Sequence, residues 1–318
     1  MNEKSALQLR NVIVSIVYSL FVTQLHWGEI RGYGFTDLEN YLYRFNELSL
    51  YGSSIINSTN SLIGLVTSEA LWAYLLFFMS KIGFDATTAL NTISFICTFI
   101  VSFYILKNSK WYISVLLIIN PILIDLFLSQ HRSALALTIF VFSIQRSNKY
   151  IQFSLLFLSC FIHTFFFALS FIYLISQYID YRLKKQKLIQ VTNFFVFLTL
   201  SLSIVLGKDI LLSLLNDRRA GGIGESVSFL YASFWLFVLL IISTLCNPLL
   251  NRAISLSVAL LMLFSITTLF GGYSARYLTL AYPFIIVSVS SIKSVYPIVF
   301  FMSIFLYQSV QWIFWLRI

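Results

Sequence analysis

In a chain this apolar, the residues able to do chemistry stand out. The candidates are four arginines, Arg132, Arg276, Arg218 and Arg219, then His163, the carboxylates Glu69 and Asp37, and Tyr41 and Glu39 of an early polar segment. A planar guanidinium binds phosphate through paired hydrogen bonds and stays charged when partly desolvated. Several arginines converging on one cavity suit a ligand with clustered negative charge at a membrane surface, and a pyrophosphate joined to a lipid meets that description. His163 lies in Phe161-Ile162-His163-Thr164-Phe165. A histidine titrates near neutral pH, which suits a general base or a group that orients a hydroxyl. Glu69 and Asp37 are either bases or partners of the arginines. Arg218 and Arg219, beside a glycine-rich turn, read as a loop that closes over substrate or as a solvated loop. Tyr41 and the other aromatics nearby suit stacking on sugar rings, although anchoring at the membrane interface is the commoner role of such rings. A lone Arg at a helix end commonly snorkels to the interface, and an isolated His is often a satisfied structural residue. Arg132 is the arginine least suited to that role. It sits between two closely apposed apolar runs and is followed by Ser133, Ala134 and Ala136, small residues that permit tight helix packing.

The elements that must position these groups follow from composition. The chain has 318 residues, of which 59% are hydrophobic and 10% charged, with a mean hydropathy of +0.87. Soluble domains carry about 25% charged residues. The composition therefore excludes a water-soluble enzyme or a soluble nucleic-acid-binding domain despite a pI of 9.4, and it indicates a polytopic membrane protein. Four prolines and twelve glycines leave long helices little interrupted. There is none of the ten-residue alternation of a transmembrane β-barrel. Cys97, Cys160 and Cys246 lie in or at the end of apolar runs and read as small apolar side chains. No P-loop, H-E-x-x-H, G-x-S-x-G or dinucleotide fingerprint occurs, and three scattered His residues make no recognisable metal site. The first apolar run lacks a small-x-small cleavage site and reads as an uncleaved span.

Apolar runs lie near 11–25, 62–80, 86–106, 111–128, 132–145, 150–162, 164–179, 188–207, 227–245, 253–270, 277–292 and 294–315. The stretch Ile151 to Ser176 is divided at His163. Lys and Arg gather in cytoplasmic loops. Placing Lys4/Arg10, Lys107/Lys110, Arg146/Lys149, Arg182/Lys184/Lys185/Lys187, Arg252 and Lys293 inside puts twelve of the 21 basic residues there with two acids, a charge of +10 against −1 outside. The expectation is an all-α bundle of about eleven transmembrane helices in one integral membrane domain, residues 1–318. The run 62–80 is then a re-entrant or interfacial helix, with Glu69 in its middle. The loops 28–60 and 207–226 fall outside, with Asp37, Glu39, Tyr41, Glu69, Arg132, His163, Arg218, Arg219 and Arg276 on that same face.

Several short motifs appear in order: Asp37-Leu38-Glu39-Asn40-Tyr41 with Phe45, Ser68-Glu69-Ala70-Leu71-Trp72-Ala73-Tyr74, His131-Arg132-Ser133-Ala134-Leu135-Ala136, Phe161-Ile162-His163-Thr164, and Arg276-Tyr277-Leu278. In these the chain resembles the EpsG-like branch of bacterial polysaccharide polymerases, the O-antigen polymerase (Wzy) group, from about Asp37 to Tyr277. It departs at Arg132-Ser133, where that family often has Arg-Gln, so the role of that Gln has no holder here. The resemblance implies a bundle like that of GT-C-type glycosyltransferases in the bacterial inner membrane, with its active site facing the periplasm. The implied reaction transfers a glycan from undecaprenyl pyrophosphate to the non-reducing end of another lipid-linked repeat unit. Arg132 and Arg276 would hold pyrophosphate, with Arg218 and Arg219 as further candidates. His163 would address the acceptor hydroxyl, Glu69 or Asp37 would serve as substitute base or sugar ligand, and Tyr41 and Glu39 would contact glycan. Arginines would neutralise the phosphate, so no cofactor is expected. The partners would be the undecaprenyl-pyrophosphate-linked oligosaccharide, the lipid bilayer and a chain-length regulator, with no nucleic acid. Two other readings share this chemistry: a flippase or transporter of the lipid-linked unit, and an O-antigen ligase. A transporter calls for charges along a path through the bilayer.

Overall fold

The apolar runs become helices. The computed structural model describes residues 3–35, 37–57, 69–183, 185–214, 228–270, 274–292 and 297–316. Among them every regular element is an α-helix: α1 (Glu3–Gln24), α2 (Trp27–Arg31), α3 (Leu38–Asn57), α4 (Ala70–Lys81), α5 (Ala86–Asn108), α6 (Trp111–Ile118), α7 (Pro121–Ser129), α8 (His131–Ile144), α9 (Lys149–Ile162), α10 (Phe165–Arg182), α11 (Gln186–Leu214), α12 (Phe229–Leu245), α13 (Arg252–Phe270), α14 (Ser274–Ser290) and α15 (Pro297–Leu316). Five contain stretches long and apolar enough to cross a bilayer: Ser5–Gln24, Ala86–Asn108, Gln186–Gly207, Arg252–Phe270 and Ile298–Leu316. By the length and composition of its helices, the chain is a helical, multi-pass membrane protein.

Local chemistry shapes the remaining elements. The run 111–128 is not one straight helix. It breaks at Asn120-Pro121, and α6 and α7 are bent by 61°. Proline cannot continue the preceding helix but fits the first position of the next, and the Asn120 side chain accepts the Ile122 N–H, 2.8 Å, to cap it. Counted together, the bent pair makes a sixth candidate span. The division at His163 falls where the chain reading puts it, between α9 and α10. Of the run 62–80, residues 62–68 lie outside the described residues. The rest is α4, twelve residues or about 18 Å, short of a ~30 Å hydrocarbon core.

Parts of the two expected loops are helical. The stretch 28–60 is largely the helices α2 and α3, because Phe45, Leu48 and Gly52 recur at helical spacing and are buried while Glu39, Tyr43 and Leu50 face outward. Of the expected loop 207–226, residues 207–214 belong to α11, which runs to Leu214. Residues 215–227, which include Arg218 and Arg219, lie outside the described residues.

The helices cluster into two compact units. Unit 1 comprises 1–108, 118–170 and 306–318, and unit 2 comprises 109–117 and 171–305. In unit 1, α5 is the central post, with α1, α3, α4, α7 and α8 packed on it. Buried polar bonds tie it in: Ser94 donates to the Phe127 carbonyl of α7, 2.7 Å, and Asn11 of α1 to the Leu106 carbonyl, 3.4 Å. In unit 2, α13 is buried along most of its length and is packed by α11, α12 and α14. Small hydroxyl residues let these helices approach, with Ser257 bonded to Ser288, 2.9 Å, and Asn193 to Ser255, 3.1 Å. Outward rows such as Ile13, Ile16, Val17 and Leu20 on α1, and Met302, Leu306, Val310 and Ile313 on α15, are exposed apolar side chains of the kind a lipid environment accommodates.

Candidate functional site

Three of the singled-out residues meet in unit 1, each delivered by the end of a helix. Glu69 precedes α4 and has the left-handed backbone conformation, φ 53° and ψ 47°, the one positive φ outside glycine among the described residues. That conformation costs a non-glycine residue about 1–2 kcal/mol, and such strain gathers at functional sites. Its carbonyl accepts the Trp72 N–H, 3.0 Å, and starts the helix, but its side chain does not cap. The carboxylate instead forms an ion pair with Arg132, the second residue of α8, through Oε2 and a terminal guanidinium nitrogen. Glu69 is 4% exposed, and the Arg132 side chain keeps 24% of its surface accessible. The Arg132 Nε is buried and makes no hydrogen bond among the described residues, so the guanidinium has donor capacity beyond its carboxylate partner.

His163 joins from the break between α9 and α10. Its Nδ1 lies 3.7 Å from Glu69 Oε1, beyond hydrogen-bond range. Nδ1 also accepts the backbone N–H of Phe165, 3.2 Å. An imidazole accepting at Nδ1 carries its proton on Nε2, so in this arrangement His163 presents Nε2–H as a donor. The residue is held by its extended backbone, φ −148° and ψ 118°, and by an edge contact with Phe166, which meets Phe140 of α8 in turn.

The helix ends are fixed by neighbours. Tyr41, on the first turn of α3, sets its ring edge-on against Trp72 of α4, 5.6 Å, and His131 of α8, 5.3 Å. One half-buried tyrosine therefore touches a residue three positions after Glu69 and the residue just before Arg132. At Gly52 a Cβ would run into the Phe77 ring, so α3 and α4 approach as closely as they do only because this position is glycine. Between α7 and α8 stands the single residue Gln130, which keeps Arg132 at the start of its helix. The small side chains expected to allow close packing there, Ser133, Ala134 and Ala136, are buried.

Asp37 is half-buried just before α3, its carbonyl accepting the Tyr41 N–H, 3.2 Å. Glu39 is exposed on the first turn of α3. Arg276 is half-buried on the first turn of α14, in unit 2, and its carbonyl accepts the Thr279 hydroxyl, 2.8 Å. Arg218 and Arg219 lie outside the described residues. The three cysteines are free and buried. Cys246, in the turn after α12, has its thiol pushed up to about 12 by burial.

A second charged cluster in unit 1 escapes the chain reading. Arg31 meets Asp125 of α7, 3.3 Å, and Trp315 of α15 donates to the other carboxylate oxygen, 3.0 Å. The rings of Tyr33, Phe35 and Trp315 surround the guanidinium at 4.0–4.7 Å. A signal was available, since Asp125 is an acid inside the apolar run Ile122 to Leu128 and such a residue calls for a partner.

No family model, curated protein or solved structure matches the chain.

Proposed function

We propose that the chain is a membrane glycosyltransferase that polymerises lipid-linked oligosaccharide repeat units, moving a glycan from undecaprenyl pyrophosphate to the non-reducing end of a second lipid-linked unit. The reading includes about eleven spans in a bundle like that of GT-C-type enzymes, in the bacterial inner membrane, with the site toward the periplasm. One observation carries it. Three short motifs, widely spaced in sequence, contribute a buried carboxylate in a strained backbone, a guanidinium with unused donor capacity and an imidazole, all in one cluster. A structural salt bridge alone needs neither the strained backbone nor the imidazole.

In this reading the acceptor hydroxyl oxygen attacks the anomeric carbon. The carbon–oxygen bond to pyrophosphate breaks, its electron pair stays with the phosphate oxygen, and the hydroxyl proton passes to a base. Stabilising the departing pyrophosphate is the largest demand, and a preorganised guanidinium meets it in a water-poor site. Arg132 takes that role, and an anion drawn to it arrives near the positive end of α8. Nε2–H of His163 orients the acceptor or donor oxygen. Tyr41 and Glu39 remain candidates for the glycan, and Asp37 remains an alternative carboxylate. The role given to Arg276 rests on the resemblance.

Deleting the gene in its host and separating the surface glycan on a gel tests the reading. Loss of the ladder with a single-repeat band left behind is the expected result. An unchanged ladder overturns it. Loss of even the single-repeat band points to a ligase, and lipid-linked units trapped on the cytoplasmic side point to a transporter.

A further inference from the structure

The ion pair at the site has a consequence for the order of events. Arg132 is the group assigned to pyrophosphate, yet a carboxylate already occupies it. A donor pyrophosphate must therefore compete with Glu69 for the same guanidinium. We infer that Glu69 is the general base and that donor binding switches it on: the pyrophosphate draws Arg132 away and relieves the buried carboxylate of that guanidinium's pull, so that it takes the acceptor's proton. The inference rests on the polymerase reading and adds to it the identity and control of the base.

The geometry favours Glu69 over the imidazole. The Nδ1 lone pair of His163 is engaged by the Phe165 N–H, so the remaining nitrogen already carries a proton and cannot take another in that tautomer. Glu69 holds two carboxylate oxygens, one toward Arg132 and one toward His163. A carboxylate paired with a guanidinium is a poor base, and the same carboxylate, buried and deprived of that partner, takes up a proton readily. Arg132 keeps 24% of its side-chain surface accessible, so it can engage an incoming anion before it leaves the carboxylate. The proton balance closes. The acceptor O–H proton goes to Glu69, the anomeric carbon exchanges phosphate oxygen for acceptor oxygen, and departure of the pyrophosphate returns Arg132 to Glu69, which releases its proton to water. Until the donor binds, the base is masked, which protects the site from activating hydroxyls with no donor to attack.

The test measures inorganic pyrophosphate binding to the purified full-length protein in detergent micelles, by calorimetry, beside polymer formation in cells. Glu69→Gln removes the competing charge, so it should bind pyrophosphate roughly tenfold more tightly than wild type, the size of one charge-assisted interaction, while making no polymer. Glu69→Asn, a residue that tolerates the left-handed backbone, should behave the same way and guards against a folding defect at Gln. Arg132→Ala should abolish binding in every background. If wild type binds pyrophosphate through Arg132 but neither Glu69 variant binds it more tightly, Glu69 is not the competitor and the inference falls while the polymerase reading stands. Tighter binding with undiminished polymer overturns the base assignment. Absence of Arg132-dependent binding throughout removes both the inference and the reading beneath it.

Discussion

Among the described residues of unit 1, two arginines each face a carboxylate from another segment, and their surroundings differ in kind. Arg31, 8% exposed, ends α2 and is walled in by three aromatic rings, while Trp315 bonds the far oxygen of its Asp125 partner. Tyr33 also donates to the Trp315 carbonyl, 3.0 Å, so the cage fastens the end of α15 to the segment after α2. Among the described residues, Arg132 has no such cage. Its carboxylate partner sits on a strained backbone, an imidazole stands beside that partner, and part of the arginine side chain remains accessible. An arginine–carboxylate pair is thus a clasp in one place and, in the proposed reading, a poised site in the other. What separates them is whether the cation's remaining faces are filled by rings, which satisfy it permanently, or left open to an anion.

Arg132 and Arg31 should respond to mutation in opposite ways. Arg132→Ala should lower polymer formation on the order of 10²-fold or more at normal membrane expression, and Arg132→Lys should restore only part because it keeps the charge and loses the fork. A full-strength ladder from the Lys variant would make this arginine an interfacial anchor. Arg31→Ala should show the opposite signature. Thermal unfolding in detergent should register a loss of roughly 2–3 kcal/mol, between the values for exposed and buried pairs, with activity per folded molecule unchanged. Reduced turnover in well-folded protein would erase the contrast.

A third change tests how far the site depends on its frame. Gly52→Val should overpack α3 against α4 at a cost of about 1–3 kcal/mol, and activity should fall with it because α3 carries Tyr41. Adding Phe77→Ala should recover both in the double variant; stability recovered without activity would detach Tyr41 from the site. On the clasp side, Asn120→Ala removes the cap of α7, which carries Asp125, and should cost about 1 kcal/mol of unfolding free energy with activity unaffected.

The smallest effect is a control on α5, the helix that both regions lean against. Asp85 precedes α5 and accepts from the Thr88 hydroxyl, 2.5 Å, and the Thr88 N–H, 3.1 Å, which hold its carboxyl below the usual 3.8. A depressed carboxyl adds stability above its unfolded value and loses it as pH falls through the folded one. Wild type should therefore lose a little thermal stability below about pH 3.8 that Asp85→Asn does not lose. An identical acid response in both proteins would show that this cap contributes nothing.

Much of this was legible in the chain. Glu69, Arg132 and His163 stand out because ionisable groups among apolar runs are expensive and therefore conspicuous. The break at His163 is local, set by a residue and its neighbours, while that at Asn120-Pro121 lies inside the run 111–128, whose hydropathy is continuous. Asp125 was equally conspicuous within α7, but its partner Arg31 sits in an ordinary-looking polar segment, and nothing in the spacing joins the two. The helical character of 28–60 was hidden because its apolar stripe is narrow and half its residues are polar, so hydropathy alone reads it as loop.

The sequence by itself determined the membrane class, the helical content and the short list of residues able to do chemistry, because run length, charge density and helix breakers act over a few residues at a time. Only the tertiary structure decided which of those residues meet. It turned Glu69 toward Arg132 through a left-handed backbone, set the lone pair of His163 on a backbone N–H, and enclosed Arg31 in rings from two ends of the chain. Those choices come from the packing of α4, α7 and α8 around α5, and of α9 against α4 and α8. Contacts between segments far apart in sequence follow from the mutual fit of many side chains, which no local pattern encodes.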